Sequence, residues 1–213
     1  MATMINPTEA CVIIEGASWA TYECLLADFG DSRTARVAYD QGTLEIMTPS
    51  YQHERLKSLL TTLFEAMATG LDLDFENAGS TTFKREDAAR GFEPDACFYV
   101  QHVAAVRGKL RLDLATEPPP DLVIEVDITH PSLAKLPIYA AVGVIEVWRY
   151  DGYQVHMHLL INGQYEPTET STVLSGVNNA DINRFLELND EMTRAAWIRH
   201  IQVWAQSLRL DEA

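Results

Sequence analysis

Cysteine is scarce: Cys11, Cys24 and Cys97 are the only three in 213 residues. They are odd in number, far apart and form no C-x-x-C pair, so neither a disulfide framework nor a cysteine zinc site follows. They read as small buried hydrophobes. Long apolar runs are also missing. No stretch approaches the roughly 20 residues needed to span a bilayer. The opening Met1-Ala-Thr-Met-Ile-Asn-Pro-Thr-Glu lacks the basic start and apolar centre of a signal peptide. A cytoplasmic protein without membrane contact is the expectation. Positive charge is the third shortage. Sixteen Lys and Arg stand against 31 Asp and Glu, a formal net charge of -15. Phosphate binding is usually driven by Lys and Arg, so this balance weighs against a broad nucleic-acid surface. It leaves room for a local one, because bound divalent cations neutralise carboxylates and net charge does not describe a single face. No helix-turn-helix, zinc finger or basic helix is visible. The closest basic groups are Lys84-Arg85 and Arg107-Lys109-Arg111, the latter a candidate phosphate contact.

What is present is an ordinary globular composition, 47% hydrophobic and 22% charged. A chain this long can bury about 70% of its unfolded surface and form one domain, here expected over residues 1–213. Residues 17–29 read as a helix with Ser18 as N-cap, and 36–47 as a hairpin turning at Asp40-Gln41-Gly42. A helix over 51–69 carries Leu56, Leu60, Leu63 and Met67 on one stripe, with His53 one turn before Leu56 and pointing inward. Residues 71–84 read as one or two strands, and a strand runs from Asp95 to Val100. The segment 101–120 reads as a surface loop within the same domain. The strongest strand is 121–128, followed by a helix over 132–142 that Gly143 stops. Strands at 144–150 and 153–160 follow, with Asn162-Gly163 turning into another. A final helix, about 189–209, shows a stripe of Trp197, Ile201, Trp204 and Leu208, for packing on the sheet or for dimerisation. This order argues α/β or α+β with a mixed central sheet.

Two acidic residues stand out. Asp95 opens its strand after Pro94. Glu125 sits mid-strand, with Asp127 two residues on and so on the same face, opposite Leu122, Ile124, Val126 and Ile128. A carboxylate inside such an apolar segment is costly to bury unless it is paired or binds a cation. Magnesium commonly takes one or two carboxylates plus waters and substrate phosphates, and the pair suits that role. His53 is either a core or cap histidine or a site residue, and Glu45 either a solvated strand residue or a site residue. Asp127 either stands behind the pair or binds Lys135. Glu146 and Trp148 read as packing.

Pro94-Asp95 followed about 30 positions later by Glu125-Val126-Asp127 resembles the PD-(D/E)XK nuclease superfamily. The run Gly42 to His53, Phe92-Glu-Pro-Asp95, Asp121 to Val126, Lys135, Tyr139 and Gly143-Val-Ile-Glu-Val-Trp148 resembles, more closely, its bacterial restriction endonuclease family of Uma-two type, over about residues 17–160. One departure is plain: Asp127 occupies the position of the family lysine, and Lys135, about one turn into the next helix, is the nearest substitute. The resemblance implies a restriction endonuclease-like mixed sheet flanked by helices. It implies a magnesium- or manganese-dependent endonuclease acting on DNA, with a homodimer as the expected assembly. The metal would be held by Asp95 and Glu125, with Asp127 beside them. Lys135 would steady the attacking water or the charge on phosphate, and His53 and Glu45 would complete the site. Asp127 and the acidic charge motivate an alternative, an inactive nuclease-fold binding or regulatory module. A hydrolase of small phosphoesters is a third reading.

Overall fold

The computed structural model describes residues 10–30, 35–128 and 134–211. It is an α+β arrangement of two sheets and six helices, in keeping with the expected class. The first sheet is fully antiparallel. It contains β1 (Ala10–Glu15), β2 (Arg36–Asp40), β3 (Thr43–Thr48), β5 (Phe83–Arg85) and β6 (Arg90–Phe92), in the order β1-β3-β2-β6-β5. The expected hairpin is β2–β3. Its two-residue turn, Gln41-Gly42, places both residues at positive φ (46° and 107°), the primed geometry that matches strand twist. Helix α1 (Trp19–Phe29) covers this sheet, with Ser18 capping it by accepting from the Thr21 N–H. Tyr22, Val37, Tyr39 and Leu44 form the small core between them.

The second sheet is mixed, as expected. It contains β4 (Glu76–Asn77), β7 (Ala96–Tyr99), β8 (Leu122–Val126), β9 (Glu146–Tyr150), β10 (Val155–Ile161) and β11 (Gln164–Thr168), in the order β11-β10-β9-β8-β7-β4. The parallel pair is β8–β9, joined through α4 (Leu136–Val142). Residues 129–133, which include the start of the helix expected over 132–142, lie outside the described residues. Both faces of β8 are covered, so it reads as a nearly continuous apolar run. Leu122, Ile124 and Val126 face the main core with α2 (Tyr51–Gly70), and Val123 faces α4. The segment 101–120 holds one short helix, α3 (Val103–Val106). Asp121 anchors its start by accepting from the N–H groups of Val100 (2.7 Å) and His102 (3.0 Å).

The C-terminal region differs from expectation. A separate helix, α5 (Asn179–Leu188), precedes α6 (Arg194–Asp211), which starts five residues later than the sequence suggested. Trp197 and Ile201 are fully buried, and Trp204 and Leu208 partly so. Helix α6 packs along α2. The approach is close at Gly70, where a Cβ would lie 2.6 Å from Ala205 Cβ and 2.7 Å from the Gln202 carbonyl oxygen. Gly70→Ala should therefore push α6 outward and destabilise the protein by about 1–3 kcal/mol, the usual cost of overpacking, read by denaturant unfolding.

Candidate active site

The chain passes from the first sheet to the second through Glu93-Pro94-Asp95, between β6 and β7. Pro94 has no N–H and cannot extend a ladder, so the crossing falls there. Glu93 fixes the first sheet's side by accepting from Val37 N–H (3.0 Å) and Thr82 Oγ1 (2.5 Å). Asp95 is thus set at the junction of the sheets, fully buried. The antiparallel register pairs Ala96 with Ile124, so one step further sets Asp95 opposite Glu125. Asp95 Oδ2 accepts from the Val126 N–H at 2.6 Å, which locks the carboxylate to β8.

The other Asp95 oxygen faces α2 and β2. Ser50 caps α2 by accepting from the His53 N–H (3.1 Å), which puts His53 in the first helical turn and inside the protein. His53 Nε2 lies 2.9 Å from Asp95 Oδ1 and 3.4 Å from Arg36 Nη1. A neutral imidazole has one N–H, so Nε2 cannot serve both. We assign the proton to Nε2, donating over the shorter distance to the carboxylate. Burial first, then the charges of Arg36, Lys135 and Lys57, lower the His53 pKa to about 3, so the ring is neutral near pH 7. Arg36, at the start of β2, ion-pairs with Asp95 and also donates to Glu54 Oε1 at 2.6 Å.

Glu125 is held from the other side. Lys135 Nζ donates to its Oε2 at 2.7 Å, and Tyr139 Oη donates to its Oε1. Lys135 immediately precedes α4 and Tyr139 is four residues on, so one helix face carries both. Burial acts to lower the Lys135 pKa, but the Glu125 and Glu45 carboxylates outweigh it and hold the ammonium charged. Burial and Glu125 keep the Tyr139 phenol protonated. Glu45, 2% exposed on β3, is therefore near Lys135 and not a solvated strand residue.

The structure thus brings Asp95, Glu125, Lys135, His53 and Glu45 into one neighbourhood. Asp127 is placed differently. Its Oδ2 accepts from Arg149 Nε (3.0 Å) and Nη2 (2.6 Å), while Lys135 goes to Glu125. Of the two alternatives for Asp127, the pair with Lys135 is not formed: Arg149 stands opposite Glu125 on the neighbouring parallel strand and binds Asp127 instead. That pair is half exposed and contributes at most about 1 kcal/mol. The basic group 107–111 is also misplaced for the role suggested. It follows the C-terminal end of β7, whereas Asp95 precedes the N-terminal end of that strand. Arg36, Glu93 and the hydrogen bond from Tyr139 were not legible as site features, although Tyr139 lies at helical spacing from Lys135.

A cleft of about 580 Å³ opens at this junction, lined by Arg36, Thr48, Glu54, Lys57, Thr82 and Glu93. Among the described residues, no three His, Cys, Asp or Glu side chains converge as a ready metal shell. Asp95 and Glu125 nonetheless fit magnesium's usual demand, one or two carboxylate oxygens with water and phosphate supplying the rest.

The model of one protein family, "Uma2: Putative restriction endonuclease", matches residues 19–193. The chain belongs to the Uma2 family. A crystal structure of a "putative nuclease belonging to DUF820" from Anabaena variabilis is similar to it, with TM-score 0.52 and 13% identity, covering 70% of this chain and 89% of that one. At that identity the likeness speaks for the fold. No curated protein matches the chain. Glu146 and Trp148, which lie within the matched range, are in the core, hydrogen-bonded to each other at 2.6 Å. No helix among the described residues is long and apolar enough to cross a membrane.

Proposed function

We propose that this Uma2 protein is a divalent-metal-dependent endonuclease that hydrolyses phosphodiester bonds of DNA. The observation that carries the reading is the placement of Asp95 and Glu125 opposite each other across β7 and β8, with the Lys135 ammonium on Glu125. Asp95 and Glu125 would hold magnesium or manganese. When bound, such an ion supplies charge stabilisation at the phosphate and a more acidic water.

The chain's own residues do the rest. His53, neutral, and the Val126 N–H fix the Asp95 carboxylate in orientation. Tyr139 and Lys135 do the same for Glu125. Lys135 stays charged and steadies negative charge developing on the phosphate, a donor already in place before reaction. Glu45 sustains that charge from β3. Arg36 and Lys57 offer cations along the cleft.

The test is incubation of supercoiled plasmid with the protein and magnesium or manganese. We expect nicked or linear product that disappears when the metal is chelated. A specific observation favours a second reading, a binding or regulatory module: Arg36 and Lys135 already compensate both carboxylates. That reading predicts no cleavage with either metal at any pH, and no heat of magnesium or manganese binding by calorimetry.

A further inference from the structure

The row of the sheet that contains Glu125 continues across two more strands. Glu125 pairs in register with Arg149 on β9, and Arg149 with His156 on β10. Directly opposed residues point to one face of a sheet, so these three side chains share a face. The neighbouring row, Val123, Val147 and His158, lies toward α4, where Val123 and Val147 join its core. The Glu125 row lies one step beyond, and its outer members emerge: Arg149 is 48% and His156 42% exposed in their side chains. His156 sits two strand spacings from Glu125, roughly 10 Å.

From this we infer that Arg149 and His156 form a backbone-phosphate subsite for DNA beside the Glu125 centre, and that Asp127 occupies Arg149 until phosphate displaces it. The inference rests on the nuclease reading for its substrate class. Several features support it. An arginine fork matches a phosphate as well as a carboxylate, and here it is held by one Asp127 oxygen only, through Nε and Nη2. The pair is exposed, so exchanging one anion for another costs little. Arg36, by contrast, is tied to a buried carboxylate and to Glu54, and is not free to leave. His156 is similarly oriented at the surface by Asp151 Oδ2 at 2.9 Å. In a chain of net charge -15, a guanidinium on the site's own face is where a polyanion can settle.

The test measures binding of a fluorescein-labelled DNA duplex by anisotropy, with calcium replacing magnesium so that the reading does not depend on cleavage. Arg149→Ala should weaken binding roughly tenfold and reduce the slope of log affinity against log salt by about one. Asp127→Asn should act in the opposite direction, tightening binding about two- to fivefold by freeing the guanidinium. Melting curves of both variants check that each is folded. Affinity and salt slope unchanged in Arg149→Ala would overturn the inference, as would no binding by the unaltered protein. Lost binding in Asp127→Asn would overturn it too, by putting Asp127 on the metal. Failure of the nuclease reading is distinguishable: plasmid stays uncut while Arg149-dependent binding persists.

Discussion

Asp95→Ala should abolish metal-dependent plasmid cleavage and lower stability together. The activity loss follows from removing one of the two carboxylates proposed to hold the metal. If that interaction supplies about 4 kcal/mol to the barrier, the rate falls on the order of 10³-fold. The stability loss follows from what remains. Arg36, with 10% side-chain exposure, loses its buried counter-charge, and His53 and the Val126 N–H lose their acceptor. Removing one partner of a buried pair typically costs about 3–5 kcal/mol. For a chain of this length that lowers the melting temperature by roughly 10 °C. Because partial unfolding alone would reduce cleavage, Glu125→Gln is the companion variant. Its amide oxygen can still accept from Lys135 or Tyr139, so cleavage should fall comparably with a much smaller change in melting temperature. Full cleavage by folded Glu125→Gln would end the metal-site reading. A protein that is only a binding module would show the Asp95→Ala stability loss with no activity to lose.

The second large effect lies away from the site. Glu146→Ala should destabilise the protein by about 3–5 kcal/mol without touching the proposed chemistry. Glu146 begins β9 and is fully buried. Its Oε1 accepts from Trp148 Nε1 (2.6 Å) and Ser171 Oγ (2.8 Å). Its Oε2 accepts from Thr172 N (2.7 Å), Thr172 Oγ1 (2.9 Å) and Val173 N (3.2 Å). These donors fasten the segment after β11 and lead into α5, so alanine leaves several buried donors without an acceptor at once. Glu146→Gln should rescue only part of the loss, because its NH₂ group must face donors on one side. Thermal melting gives the size of the effect. Amide exchange should place the loosening at 171–174; a melting temperature unchanged in Glu146→Ala would refute this account.

Several elements were legible in the sequence for local reasons. The Gln41-Gly42 and Asn162-Gly163 turns need positive φ, which all four residues adopt. Helix α2 declares itself by its apolar stripe, and β8 by β-branched residues between breakers. Helix α5 carries a local signal of its own: Asn178 and Asp181 form a capping box, and Ile182 and Phe185 follow at helical spacing. Strand β1 had none, since nearly all its residues are exposed and only pairing with β3 orders it.

The sequence by itself determined that Asp95 and Glu125 needed partners, because a carboxylate in an apolar strand must be compensated. Which partners was decided by tertiary structure. Arg36 lies 59 positions before Asp95 in number, yet the crossing between two sheets sets them in contact. Parallel pairing of β8 with β9 put Arg149 opposite Glu125 and within reach of Asp127, which left Lys135 for Glu125. Register and sheet order are set by pairings between distant segments, whereas turns, caps and stripes are written in neighbouring residues. Local chemistry was therefore readable in the chain, and the assembly of the site from both sheets was not.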